Sequence, residues 1–239
     1  MNSQRNAARL FGMFFIIAFL SYGTGSALIA SITGTPDFLS TVYANSTTIV
    51  IGAILIALVH TFVNIGLPVI MLPILQPFNK NCAYGYLSLG IASTTVAVIG
   101  AIFLLLLIPL AGEYAKAGSA ATGYFEAMGI VLEMGGAYAY QIAMAIWGLG
   151  GLLFVSVLYT SKLVPRLLSV WGMVGYLVFV SGTILELFGY PVGVLLSLPG
   201  GLFELALSVW LIVKGFNSSA IASVAAKASP SIKASLATK

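Results

Sequence analysis

Residues 194–214 read VLLSLPGGLFELALSVWLIVK, and they decide how the rest of the chain is read. From Val194 to Val213 there is a single charge, that of Glu204. An α-helix rises 1.5 Å per residue, so about 20 apolar residues cross the roughly 30 Å hydrocarbon layer of a bilayer. The stretch therefore predicts a membrane-crossing helix that ends at Lys214. Glu204 lies ten residues before Lys214, roughly 15 Å deep at that rise and so near the midplane.

Five earlier runs match this one, at about 10–32, 48–75, 83–110, 127–159 and 167–188. The second, third and fourth are longer than a crossing needs, so they should tilt, kink or protrude. Between them, residues 33–47, 76–82, 111–126, 161–166 and 189–193 read as loops, rich in Pro, Gly, Asn and charge. The expected fold is all-α: a polytopic bundle of six transmembrane helices over residues 1–215, followed by a flexible tail, 216–239, rich in Ser, Ala and Lys. Of the 239 residues 60% are hydrophobic and 7% charged. A soluble domain carries about 25% charged residues, so membrane lipids are the natural solvent. No residue pattern recurs at a fixed spacing, which weighs against an inverted-repeat transporter.

Charge supports the helix count. With six spans, alternate connections share a side. Arg5, Arg9, Lys80, Lys162, Arg166, Lys214, Lys227, Lys233 and Lys239 then fall on one side and Lys116 alone on the other. Basic residues are retained in the cytoplasm during insertion, so both termini are expected there, in a multi-pass membrane protein. The rival reading takes the first run as a secretory signal cleaved near residues 27–31. Its length and the even number of spans favour retention.

Composition also excludes. The basic residues are few and scattered, unlike a nucleic-acid surface. One cysteine, Cys82, allows no internal disulfide, and with one histidine it makes a thiolate–imidazole zinc site implausible. No metal or cofactor is expected. No phosphate loop, dinucleotide fingerprint, nucleophile elbow or zinc-protease helix is present.

The informative residues are polar groups at membrane depth, because a charge at the bilayer centre costs about 2.5–3.5 kcal/mol on insertion scales. Glu204 is the first, as a proton- or cation-coupled acid or as a plain interhelical hydrogen-bonding group. His60 and Asn64, four apart, share a face of the second helix. They could relay protons or bind a ligand, or simply fix helix packing. Glu133 and Glu186 fall toward the outer ends of the fourth and fifth helices. With Glu126, Tyr140 and Gln141 they could line an outward vestibule over Glu204 and His60, or could sit in the headgroup zone. Gly66, Pro68 and Pro73 predict a kink near residues 64–68, and 198–201 (Leu-Pro-Gly-Gly) should weaken the sixth helix above Glu204. Ser93, Ala97 and Ala101, and glycines at 148, 150, 151, 172 and 175, offer close-packing faces. Those faces could also serve a homo- or hetero-oligomer. Tyr84, Tyr86, Tyr159, Trp171, Tyr176 and Tyr190 lie near expected helix ends, as interface anchors do.

Four segments carry a resemblance: Arg9-Leu10-Phe11-Gly12; Leu75-Gln76-Pro77-Phe78-Asn79-Lys80-Asn81; 163–172 (LVPRLLSVWG); and 204–215 (ELALSVWLIVKG). In this order they resemble the membrane family catalogued as domain of unknown function 4386, over about residues 5–216. The resemblance implies a six-helix bacterial inner-membrane protein and assigns no activity. Pro165, Arg166 and Glu204 look like family features, and His60 is not assigned to the pattern. The residues themselves suggest a bundle that binds or passes a small-molecule ligand or a proton through a polar pocket, with Glu204 as the acid and His60 and Asn64 as partners. The rivals are a non-catalytic accessory subunit and an enzyme acting on a lipid-soluble substrate.

Overall fold

The computed structural model describes residues 2–117 and 122–223. Among them there are helices and no strands. In chain order these are α1 (Asn2–Thr33), α2 (Phe38–Ala44), α3 (Ser46–Ile54), a π-helical segment (Leu55–His60), α4 (Thr61–Leu75), α5 (Lys80–Leu105), α6 (Leu107–Ala117), α7 (Thr122–Ser161), α8 (Arg166–Leu187) and α9 (Gly193–Val213). Six helical stretches are long and apolar enough to cross a membrane: α1, α3 to α4, α5 to α6, α7, α8 and α9. This is the expected six-span bundle.

Two expected loops are largely helical. Residues 33–47 hold α2, and 111–126 are entered by α6 and left by α7, which starts at Thr122 rather than near 127. The reason is a second apolar cluster that the linear pattern does not display. Leu39 and Val42 of α2, Leu107 and Ala111 of α6, and Ile29 and Ile32 of α1 bury together. At 40 residues α7 is about 60 Å long, twice the hydrocarbon thickness. Its first turns reach this cluster, where Phe38 lies against Gly129. Tyr114 donates to Asp37 at 3.3 Å on the same end.

The prolines do not interrupt the second span. Helix α4 runs through both Pro68 and Pro73, and the irregularity lies one turn earlier, in the π-helical segment that ends at His60. A π turn adds a residue and rotates everything after it, a device found often at functional positions. Pro68 is absorbed by packing, its ring meeting α5 at Gly90, which has no side chain to obstruct it.

The spans close a ring. Helix α1 packs on α9 and on the α3–α4 span, α4 on α5, α5 on α7, α7 on α8, and α8 on α9. Small residues set the approaches. Ser93 Oγ donates to the Ala143 carbonyl at 2.7 Å, stitching α5 to α7, and Ala97 and Ala101 are buried on the same helix. Two glycine contacts pin α1. A Cβ on Gly12 would stand 2.6 Å from the Ser208 backbone oxygen of α9, and one on Gly25 would stand 2.7 Å from the Gly52 oxygen of α3. The pins are thirteen residues apart, about 20 Å along the helix. Helix α1 thus leans from α9 at one end of the bundle to α3 at the other.

The end carrying Arg5, Arg9, Lys80, Lys162, Arg166 and Lys214 has no acidic residue; we call it the basic end. Its core is a large cluster that includes Phe11, Phe15, Leu67, Tyr86, Phe154 and Leu207. The first residues of the expected tail join it. Asn217 donates its backbone N–H to the Leu163 carbonyl at 2.8 Å, and Ala220 is buried. Residues 224–239 of that tail lie outside the described residues.

Candidate functional site

A cavity of about 280 Å³ sits between the two apolar clusters, inside the ring at mid-depth. It stays open in part because glycines stand in its wall. Gly23, Gly200 and Gly201 line it, and a Cβ on Gly23 would meet nothing within 4 Å. Phe19 and Gly23 of α1 and Ser197 and Gly201 of α9 line its side between these helices, where the Phe19 ring stands 3.8 Å from the place of a Cβ on Gly201. These residues lie in the half of the bundle away from the basic end.

Glu204 forms its floor. It is 8% exposed, eleven residues into α9 from Gly193. Trp147 Nε1 of α7 donates to its Oε1 at 3.0 Å, and the Tyr176 hydroxyl of α8 donates to the same oxygen at 2.7 Å. An indole N–H can only donate, so Oε1 is held as an acceptor. Any proton on this carboxyl then rides on Oε2. That oxygen accepts from no described donor and is not sealed from the cavity that Glu204 lines. The geometry divides the carboxyl into an anchored oxygen and a free one.

His60 and Asn64 line the same cavity, 7% and 4% exposed. His60 Nδ1 lies 3.2 Å from the Ala18 carbonyl of α1. A carbonyl only accepts, so Nδ1 carries the hydrogen and Nε2 is left as an acceptor, buried and without a partner. Asn64 Nδ2 donates to Thr94 Oγ1 at 3.0 Å, while Thr94 Oγ1 gives its one hydrogen to the Gly90 carbonyl at 2.7 Å. That chain orients the amide, because Thr94 has only lone pairs left to offer. Asn64 Oδ1 is consequently a second free acceptor. Tyr22 completes the wall, edge-on to His60 with ring centroids 5.1 Å apart and stacked on Tyr140 at 5.2 Å.

The structure brings Glu204, His60 and Asn64 together and leaves the other expected groups out. Of Glu126, Glu133, Tyr140 and Gln141, only Tyr140 lines the cavity. Glu133 and Gln141 are half-buried on α7 with no described hydrogen bond. Glu186 serves α9 instead: its Oε1 accepts the Gly193 N–H at 2.6 Å, capping the start of that helix. Five of the six acidic residues thus lie away from the basic end, and Glu204 is the single carboxyl at mid-depth.

Sequence reasoning missed Trp147 altogether and took Tyr176 for an interface anchor. Tyr176 and Tyr86 are each 1% exposed, whereas Tyr84, Tyr159, Trp171 and Tyr190 stand at the surface as expected. A depth count could have found Tyr176. It lies ten residues after Arg166, as Glu204 lies ten before Lys214, so the two share a level.

Two further observations set the context. A family model described as a domain of unknown function (DUF4386) matches residues 10–215. No curated protein and no solved structure matches the chain.

Proposed function

We propose, from the premise that this chain belongs to the DUF4386 family of domains of unknown function, that it is a bacterial inner-membrane protein that binds or passes a small ligand through the cavity at Glu204. The observation that carries this reading is the free Oε2 of a buried, doubly anchored carboxyl, set in unfilled space. A group that only fixed packing would have both oxygens satisfied, since an unsatisfied polar group in hydrocarbon is costly. Here one oxygen is held so that the other can meet a ligand or exchange a proton. Intramembrane carboxyls that face a cavity are characteristic of ligand and proton paths.

The basic end faces the cytoplasm in this reading, because Lys and Arg are retained on that side. Both termini and the tail, 216–239, are then cytoplasmic, and the cavity residues Gly23 and Ser197 lie in the outer half. A non-catalytic accessory role does not need a free carboxyl oxygen beside an oriented amide, and an enzyme acting on a lipid-soluble substrate could use the same groups as acid and base but lacks a convincing nucleophile beside them.

Cysteine labelling tests the proposal. In a Cys82→Ser background, Gly23→Cys and Ser197→Cys are expected to react with thiol reagents added from outside the cell. A carbodiimide is expected to modify Glu204 within the folded protein. Failure of both cysteines to react with polar and with lipid-soluble reagents, together with an unreactive Glu204, refutes an accessible cavity. Labelling from the cytoplasmic side alone refutes the orientation.

A further inference from the structure

We infer that the ligand of this cavity is a weakly hydrated organic cation, an aromatic or alkyl ammonium. The inference rests on the proposed ligand role of the site and adds its chemical class.

Three features select for positive charge. The first is the free polar atoms. Glu204 Oε2 and Asn64 Oδ1 are acceptors left over once their hydrogen-bond partners are assigned. The second is the missing counter-charge. No Lys or Arg lines the cavity, and the single ion pair among the described residues, Lys116–Glu113, is at the exposed far end. The third is the wall. Phe15, Phe19, Tyr22, Tyr140, Trp147 and Phe179 surround the carboxyl. Aromatic faces carry negative quadrupole charge and hold ammonium groups without hydrating them.

The same wall argues against a metal ion. Hard cations seek about six oxygen ligands, and two free side-chain oxygens are offered. Size fits an organic ion too. The cavity of about 280 Å³ is equivalent to about nine waters at 30 Å³ each, room for a small ring with an ammonium group.

Three near-isosteric probes separate charge from shape: phenyltrimethylammonium, neutral tert-butylbenzene and anionic phenyltrifluoroborate. Each is titrated calorimetrically into the full chain in nanodiscs, with empty nanodiscs subtracted. The cation is expected to bind saturably, at least about tenfold tighter than either other probe, and to protect Glu204 from carbodiimide. Glu204→Gln is expected to weaken the cation about tenfold or more and to leave the neutral probe unchanged. Should that variant fail to fold, Tyr22→Leu at the wall serves, with the same selective loss. Equal or tighter binding of the neutral or anionic probe overturns the cation assignment and leaves the ligand cavity standing. No binding of any probe overturns it as well, and the cysteine labelling then decides separately whether a cavity is accessible at all.

Discussion

A matched pair of glycine substitutions on α1 tests its packing against α9. Gly12→Ala places a methyl 2.6 Å from the Ser208 backbone oxygen and 2.8 Å from Ile212 Cγ1, where ordinary contact begins at 3.4 Å. The backbone oxygen belongs to α9 and cannot swing aside, so α1 must withdraw by about 0.8 Å (3.4 − 2.6). Overpacking of this kind costs about 1–3 kcal/mol. Gly23→Ala, on the same helix, meets nothing within 4 Å. The helix-propensity gain of about 0.5–1 kcal/mol is common to both and cancels in their difference. Gly12→Ala is therefore expected to fall below Gly23→Ala by about 1–3 kcal/mol, with Gly23→Ala at or slightly above the parent. Reversible unfolding in mixed micelles, followed by tryptophan fluorescence, measures both. Equal stability of the two variants refutes the pinning of α1 to α9 at Gly12.

Four further outcomes are expected. Tyr176→Phe and Trp147→Phe each remove one donor from Glu204 Oε1 and should cost about 1–2 kcal/mol; a double-mutant cycle should show coupling, since both converge on one oxygen. Ser93→Ala deletes the bond to the Ala143 carbonyl and should cost about 0.5–1.5 kcal/mol by the same unfolding assay. Glu186→Ala removes the cap on the Gly193 N–H and should cost about 1 kcal/mol, while leaving carbodiimide modification of Glu204 unchanged; a change there would tie Glu186 to the site. Asn64→Leu removes the oriented amide and should weaken phenyltrimethylammonium binding several-fold in calorimetry while the protein remains folded.

The six spans and their charge asymmetry were legible because each depends on the chain's local content: a run is either apolar enough for hydrocarbon or it is not. Glu204 was legible for the same reason, as a charge where local content forbids one, and His60 with Asn64 followed from helical spacing. Residues 33–47 and 111–126 were misread as loops because α2 and α6 are short and mixed in character. Their helicity depends on burying Leu39, Val42, Leu107 and Ala111 against one another.

What the tertiary structure alone decided is which faces meet. In a soluble helix the apolar stripe announces the buried side. In lipid both sides are apolar, so nothing along α7 or α8 marked Trp147 and Tyr176 as facing inward toward Glu204, or Glu133 and Gln141 as facing elsewhere. For α7 and α8 that choice was made at glycines, Gly151 against the Tyr176 ring and Gly172 against the Phe203 ring; for α1 it was made by Gly12 against the Ser208 backbone and Gly25 against Gly52. The last two contacts fix the tilt and rotation of α1. Sequence set the depth of each polar group, because depth is a count of residues along one helix; partnership is a relation between helices, and only their packing supplied it.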